Sequence, residues 1–296
     1  MGRIPRSDDY LVTITELVLV EGVIMIDRIH HVGIVVHSAD KALEFFRDTM
    51  GLEVTEDRII EEQGVRGVLL AIGENEIELL EPTRDDTGVA RYLQSKGEVL
   101  HHICFETDDI RAELARLADS GVELIDETPR DGLAGEIAFI HPKAMHGVLI
   151  ELAQPPAGSH RGIGKGFDHL AAMVSNIEDS AADWESTLNL ELTAKINADE
   201  FGIMIGQIPC GEAVMELVQP ANPDSPLASR IIEQGEHAGS MVAIEVEDID
   251  KEISRYRDAG YTVSEKLGGP IPGTTKRALI PADEAFGLEI QLLTYR

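Results

Sequence analysis

Histidine and glutamate recur through this chain at a nearly constant separation. Three pairs are separated by 47, 49 and 47 residues, and they are His31 with Glu78, His102 with Glu151, and His169 with Glu216. Imidazole and carboxylate together bind zinc, nickel, cobalt, manganese or ferrous iron. Residue types that recur at one position of a repeat share a spatial role. Two such pairs facing one another would therefore supply four ligands to one divalent metal ion and leave positions for water or substrate.

Each pair belongs to one copy of a repeated unit. The unit begins with a strand-like run, and its four copies read IHHVGIVV at 29–36, HHICFET at 101–107, DHLAAMV at 168–174 and SMVAIEV at 240–246. An amphipathic helix pattern and three further strand patterns follow each run, so each unit predicts a βαβββ module. The fourth copy keeps the separation, at 51 residues, but holds Ser240 and Gln291 instead of histidine and glutamate.

The modules predict an α+β protein with two domains. A single module of four strands and one helix leaves a sheet edge unpaired and one face uncovered. Pairing two modules in a curved mixed sheet around a cleft removes both problems. We expect an N-terminal extension at 1–26, a metal-binding domain at 27–154, a linker at 155–166 and a second domain at 167–296. The sequence QPPAGSHRGIGKG at 154–166 has the proline and glycine content of a linker.

Local patterns add three expectations. Strand alternation is expected to point His30 and His101 away from the histidines that follow them. In the second module we expect a strand at 122–126 and a glycine-rich loop at 130–135. The first 24 residues fit no module and predict a frayed extension or an added edge strand, with Met25 as an alternative start of translation.

Composition narrows the classes of function. The chain has 296 residues, with 25 basic and 54 acidic side chains and a formal charge of −29. Nucleic acids and anionic membranes are therefore unfavourable partners. The first 24 residues are too short and too charged for a membrane span and lack a cleavage site for a signal peptide. Cys104 and Cys210 form no disulfide framework, which favours a cytoplasmic location.

The motifs resemble those of the vicinal oxygen chelate superfamily, which includes glyoxalase I, methylmalonyl-CoA epimerase and extradiol dioxygenases. The resemblance covers about 27–296, and the first domain is most similar to methylmalonyl-CoA epimerase. The matching segments are IHHVGIVV at 29–36, EEQGVRG at 61–67, IELLEP at 77–82, LHHICFETDDI at 100–110 and IAFIHPKAMHGVLIEL at 137–152.

The resemblance implies a metal site and a reaction. The implied ligands of a divalent ion are His31, Glu78, His102 and Glu151. Such an ion holds two neighbouring substrate oxygens and acts as a Lewis acid on the enolate that forms when a carbon-bound proton leaves. Carboxylates move the proton, and Glu78 and Glu151 are the implied catalytic residues. Independently of the resemblance, Arg130 or Lys143 could meet an anionic substrate, and the alternative for both is a solvated surface charge.

One position of the first domain departs from the epimerase pattern. Epimerases that resemble this chain carry a catalytic glutamate where this sequence has Gly67. Glycine has no side chain that could act as an acid or base. Glu61, Glu62 or Glu151 would then have to act in place of this catalytic glutamate. The glycine also favours a reaction that needs only one base, or a different substrate.

The second domain departs further. His169 and Glu216 match one half of the site, while Ser240 and Gln291 replace the other half. We expect a metal-free domain that mimics the partner subunit of a dimeric relative. The alternative is the arrangement of glyoxalase I, in which ligands from both domains pair across their interface.

The leading hypothesis is a metal-dependent isomerase or epimerase that acts through an enolate on a small carbonyl or acyl-CoA substrate. Alternatives are a glyoxalase-type lyase, an extradiol-type dioxygenase and a non-enzymatic protein that binds small molecules. The dioxygenase hypothesis is the weaker enzyme alternative, because such enzymes place their metal in the second domain. With two domains in one chain, we expect a pseudo-dimeric monomer or a homodimer.

Overall fold

The computed structural model describes residues 26–159 and 165–296. Met25, nearly all of the predicted extension at 1–26, and part of the predicted linker at 155–166 lie outside these residues. The described chain forms two eight-stranded mixed sheets with helices packed on them. Each sheet contains two βαβββ modules, so the predicted α+β fold of four paired modules is confirmed.

The first sheet joins its two modules through an antiparallel pair at its centre. The strand order is β2-β3-β4-β1-β5-β8-β7-β6, and β1 pairs with β5 in the middle. On the outer side of each, β4 runs parallel to β1 and β8 runs parallel to β5. The strands are β1 (Ile26–Val35), β2 (Glu53–Ile60), β3 (Val65–Ile72), β4 (Asn75–Pro82), β5 (Val99–Thr107), β6 (Arg130–Gly132), β7 (Gly135–Ile140) and β8 (Ile150–Gln154).

The second sheet repeats this topology. Its order is β10-β11-β12-β9-β13-β16-β15-β14, with the antiparallel pair β9 and β13 at the centre. The strands are β9 (His169–Met173), β10 (Ala194–Ala198), β11 (Ile203–Cys210), β12 (Ala213–Pro220), β13 (His237–Glu245), β14 (Ser264–Leu267), β15 (Thr274–Ile280) and β16 (Glu289–Tyr295).

Within the described ranges, six α-helices connect the strands, and each begins after a polar side chain that accepts a hydrogen bond from a backbone N–H of its first turn. The predicted cap Ser38 is one of these. The helices are α1 (Ala39–Leu43), α2 (Gly88–Lys96), α3 (Ile110–Asp119), α4 (Ile177–Leu188), α5 (Pro226–Gln234) and α6 (Ile249–Asp258). A π-helical segment, Glu44–Thr49, continues α1. None of the described helices is long and apolar enough to cross a membrane.

The second module differs from the sequence expectation. No regular strand forms at 122–126, where the structure has only an isolated bridge between Leu124 and Ile140. The reason is local, because the Asp126 carboxylate accepts the hydrogen bond of the Phe139 backbone N–H. The residues Arg130–Gly132, expected in a loop, form β6.

A continuous apolar core joins the two domains. Trp184 on α4 is fully buried and packs against Phe105 on β5, with ring centroids 5.9 Å apart. On the pseudo-symmetric side, Phe45 lies next to Tyr256 on α6, at 6.3 Å. Residues of α1, α3, α4 and α6 belong to this core. Leu93 of α2 instead packs with Val35 and Leu80 in a separate cluster, on the sheet face that also carries His31 and Glu78.

Replacement of Trp184 with alanine is expected to lower the free energy of unfolding by about 3–5 kcal/mol, because it empties the largest side-chain volume of this shared core. Urea unfolding followed by circular dichroism measures this change. Trp184→Phe, which keeps a ring against Phe105, should cost much less. Equal losses in both variants would contradict the packing described here.

Candidate metal site

Four predicted ligands lie on the four central strands of the first sheet. Glu78 is on β4, His31 on β1, His102 on β5 and Glu151 on β8. Their exposed fractions are 5%, 0%, 1% and 3%. Because these strands are adjacent in the order β4-β1-β5-β8, side chains on one face converge in the concavity of the sheet.

The ligand atoms have the spacing of a coordination shell. The Nε2 atoms of His31 and His102 are 3.0 Å apart. Glu78 Oε2 lies 3.6 Å from the first and 3.4 Å from the second. The two oxygens of Glu151 lie 3.6 Å from the same nitrogens. Ligands about 2.0–2.2 Å from one ion are roughly 3.0–3.6 Å from each other at tetrahedral or octahedral angles.

Gly33 provides room for this convergence. A Cβ atom at this position would lie 2.2 Å from Cε1 of His102. Gly33 pairs with His102 across the central strands, so any side chain here would push the imidazole out of the site. The glycine of the IHHVG motif is therefore a packing requirement of the candidate ligand.

Two β-bulges occur at the histidine pairs. In the register of the two central strands, His30 is an extra residue on β1, and His101 is an extra residue on β5. A bulge breaks strict alternation, and each extra imidazole contacts its neighbour. The Nδ1 atoms are 2.9 Å apart in His30 and His31, and 3.1 Å apart in His101 and His102. The expectation that His30 and His101 point away was wrong. They are positioned to set the ring orientation and tautomer of the ligands.

Burial controls the protonation of the cluster. It lowers the pKa of His31 to about 3, with the charge of Arg28 adding to the shift. It raises the pKa of Glu78, and it raises the pKa of Glu151 well above its usual value, with a further contribution from the charge of Glu78. A divalent cation suits this set, because it would balance two ionised carboxylates while both imidazoles stay neutral. Glu78 Oε2 has no hydrogen-bond partner among the described residues, as expected of an atom available to a cation.

A second combination of possible donors shares His31 with this site. It consists of His30, His31 and Cys104. Burial and the nearby carboxylate of Glu151 raise the pKa of the Cys104 thiol well above its usual value. Because metals bind the thiolate, this environment favours the grouping of His31, His102 and Glu151.

The structure explains the glycine at the expected position of a catalytic glutamate. A Cβ atom on Gly67 would lie 2.6 Å from a methyl carbon of Leu133. Leu133 belongs to the turn between β6 and β7, and the tip of its side chain would have to shift to admit a glutamate at this position. Glu61 and Glu62 are both exposed in the turn that precedes β3. No sequence signal identified Leu133.

The two predicted anion contacts differ in location. Arg130 lies over the ring of Phe139, at 5.4 Å, and that ring in turn packs against His102. Arg130 is therefore near the candidate site. The side chain of Lys143 is 75% exposed and faces Glu123, at 3.9 Å. It does not contact the four candidate ligands.

The second domain carries only half of this constellation. His169 Nε2 lies 3.9 Å from Glu216 Oε2 and 3.4 Å from Nε2 of Gln291. The residue that replaces the second histidine is Met241 rather than Ser240, because Val242 pairs with Ile290 as Ile103 pairs with Ile150. Counting along the sequence indicated Ser240 for this position. The register of β13 is irregular between Ala238 and Val242, so the structural equivalent lies one residue later.

Comparison with known proteins gives the family. The glyoxalase/bleomycin resistance protein/dioxygenase superfamily matches residues 30–140 and again residues 166–292. The chain belongs to this superfamily. Both matches fall on the domains that carry the two half-barrel sheets.

Sequence relatives match the first domain. The uncharacterised Bacillus subtilis protein YqjC is 38% identical over 135 residues, 45% of this chain and 96% of that protein. The ethylmalonyl-CoA/methylmalonyl-CoA epimerase of Cereibacter sphaeroides is 34% identical over 133 residues, 44% of this chain and 99% of the relative. A solved structure resembles the fold of the whole chain. It is a mutant 4-hydroxymandelate synthase from Streptomyces coelicolor, with a TM-score of 0.69, 16% identity, and 91% and 93% coverage of this and that chain.

Replacement of His31 with alanine is expected to remove most of the bound metal, because it deletes a ligand that lies within 3.6 Å of the other three. Elemental analysis of purified protein should find about one ion in the wild type. The matched variant His169→Ala should keep it. If only His169→Ala lost the metal, the ion would be bound in the second domain or at the domain interface, and the assignment to the first domain would be wrong.

Replacement of His30 with alanine is expected to weaken metal binding by about 10–100-fold while leaving the four ligands in place. Competition with a chromophoric chelator measures the affinity. The exposed His37 provides the control, since His37→Ala removes an imidazole six residues beyond His31 without contacting it. Equal affinities in the two variants would show that the His30 contact does not support the ligand.

Proposed function

We propose that the protein is a metal-dependent isomerase that acts through an enolate on a small carbonyl or acyl-CoA substrate, similar to methylmalonyl-CoA epimerase. The observation that carries this proposal is the convergence of His31, Glu78, His102 and Glu151 in the domain whose relatives include epimerases. The proposed substrate and reaction rest on this ligand cluster together with the similarity of the first domain to epimerases.

The four residues would hold a divalent ion such as cobalt, manganese, zinc, nickel or iron. When bound, it would polarise the carbonyl oxygen of the substrate and stabilise negative charge that develops there. The surrounding residues exclude water, since all four ligands are at most 5% exposed. Exclusion of water strengthens electrostatic interactions at the reacting atoms.

Glu78 and Glu151 are the residues proposed to move the substrate proton. They approach the pair of imidazoles from the flanking strands β4 and β8, so they stand on opposite sides of the central strands. A reaction with two bases would use one of these carboxylates to remove the proton and the other to return one. Burial raises the pKa of both residues in the metal-free chain, and coordination to a cation would offset this increase.

Leu133 favours a second candidate function. It occupies the space beside Gly67 where epimerases that resemble this chain have a catalytic glutamate. A lyase of the glyoxalase type, which transfers a proton between neighbouring carbons through an enediolate, needs one base rather than two. The same metal site and Glu78 or Glu151 would serve that reaction.

Two other hypotheses have less support. A dioxygenase site in the second domain would need a second histidine and a glutamate, where the chain has Met241 and Gln291. A purely binding protein would not need four buried ligands around one point. We further propose that the chain acts as a pseudo-dimeric monomer or a homodimer in the cytoplasm, where its two buried free thiols would stay reduced.

The activity is tested by exchange of the α-proton of methylmalonyl-CoA in deuterated water, followed by NMR. Exchange should be rapid with the metal-bound protein and lost after chelation. Addition of a divalent metal should restore it, because the four ligands would again hold the ion that supplies charge stabilisation. Glu151→Gln should slow the exchange by about 10²–10⁴-fold, since it removes a proposed base.

Controls separate the reaction types. His37→Ala, an exposed change outside the site, should exchange at the wild-type rate. A hemithioacetal substrate that is isomerised while methylmalonyl-CoA is not would favour the glyoxalase-type reaction. Full exchange in the metal-free protein would reject both.

A further inference from the structure

The second domain contains its own cavity, and its chemistry differs from that of the first. The cavity encloses about 170 Å³ in the concave face of the second sheet. Its polar end is formed by His169, Glu216, Gln291 and Arg277, and most of the remaining wall is apolar. A domain that served only to cover its neighbour would have no need of buried polar groups here.

The polar end forms an ordered network. Tyr295 donates its hydroxyl hydrogen to Asp168 Oδ1, at 2.9 Å, and the same oxygen lies 2.6 Å from Nδ1 of His169. On its other side the imidazole faces the Gln291 amide, whose Oε1 accepts a hydrogen bond from Arg277 Nη1 at 3.2 Å. Every member is oriented by another, as in a prepared binding site.

Equivalent positions in the first domain show that this network replaces apolar residues. By strand register, Gln207 stands where the first domain has Leu69, and it donates to Glu216 Oε1 at 3.1 Å. Arg277 likewise stands where the first domain has Ile137. A cleft that had merely lost its metal would lose polar groups rather than gain them, because an unsatisfied buried polar group is destabilising.

Arg277 identifies the charge of the ligand. The chain has 54 acidic and only 25 basic residues, yet no carboxylate of the described residues forms a salt bridge with this arginine. Its side chain is partly buried and lies 5.7 Å from the ring of Phe201. Its Nε donates to the Gly268 carbonyl oxygen, its Nη1 donates to Gln291, and the more distant charge of Glu289 favours its ionised form. A guanidinium at the wall of a cavity with no carboxylate of the described residues in direct contact matches a carboxylate ligand.

The rest of the cavity narrows the class of ligand. Met173, Ile205, Val218, Met241 and Leu293 form an apolar wall next to the arginine. A guanidinium can hold one carboxylate through two parallel hydrogen bonds. The nearby carboxyl groups of Asp168 and Glu216 would repel a dianion such as phosphate more strongly than a monocarboxylate. The site therefore suits a small monocarboxylate with an apolar body.

We propose that the cleft of the second domain is a metal-independent binding site for a small apolar monocarboxylate, which Arg277 and the His169–Gln291 pair recognise. This site does not depend on the activity of the first domain. It gives the second domain a role in binding, either of an effector or of a second substrate.

Calorimetric titration of the full chain with isovalerate, hexanoate and phenylacetate tests the proposal. At least one carboxylate should bind, and Arg277→Gln should weaken its binding about tenfold or more, the effect of losing a charge-assisted hydrogen bond. Arg277→Lys keeps the charge and should recover part of the affinity. The amide of the same acid carries no charge, so its affinity for the wild-type protein should be no higher than the affinity of the acid for Arg277→Gln.

Two controls make the result decisive. Arg230 lies at the adjoining surface cavity and is exposed, so Arg230→Gln should bind like the wild type. Binding should also persist in protein treated with a chelator, which separates it from coordination in the first domain. Absence of binding for all three acids, or affinities unchanged by Arg277→Gln in a variant with normal circular dichroism, would overturn the proposal.

Discussion

Two carboxylates and two imidazoles share a volume at the centre of the first sheet from which water is almost wholly excluded. Buried ionised carboxylates are strongly unfavourable unless a positive charge or hydrogen-bond donors compensate them. Burial keeps the imidazoles of the cluster neutral, and the neutral thiol of Cys104 donates to the Glu151 carboxylate. The architecture around the cluster meets this constraint. Four central strands each carry one group, Gly33 leaves space for the His102 ring, and two bulges place further imidazoles behind the inner pair. A divalent cation is the compensating charge that this geometry suits.

The domain interface shows how the repeated fold joins its two domains. A tight turn of each domain enters the other at related positions. A Cβ atom on Gly147 would lie 1.8 Å from the Glu236 carbonyl oxygen, and one on Gly287 would lie 2.0 Å from that of Glu98. Both glycines have a positive φ, and the residue before each does too. The preceding residue is His146 on one side, held between Asp183 and Glu236, and Phe286 on the other, which packs near Phe46. The backbone geometry is symmetric, whereas the side chains form hydrogen bonds with carboxylates at one end and an apolar contact at the other.

The periodic features of the fold and the residues that converge were predictable from the sequence, because both follow from alternation and repeat spacing. Helix starts were also predictable, since a polar cap such as Ser38 precedes a helical pattern. Irregular backbone was not predictable. The bulges at His30 and His101 reverse the side-chain direction that alternation implies, and the irregular part of β13 puts Met241 where counting indicated Ser240. Contacts between segments that are distant in the sequence were not predictable either. Nothing in the local sequence around Gly67 shows that Leu133 fills the adjacent space.

The two clefts have the same fold but bury polar groups of different charge. In the first, Glu78 and Glu151 accumulate negative charge around a point where a cation fits, and the neighbouring position on β3 is the apolar Leu69. In the second, Gln291 removes one of those charges, Gln207 takes one oxygen of Glu216, and Arg277 adds a positive charge. Burial alone would lower the pKa of His169, but the hydrogen bond with Asp168 and the charge of Glu216 outweigh it and raise that pKa. The balance of charge thus moves from one that attracts a cation to one that accepts an anion, through substitutions on the same strands. Because these substitutions leave the paired sheets and the shared core unchanged, the second cleft could change its ligand without loss of the support that it gives to the first domain.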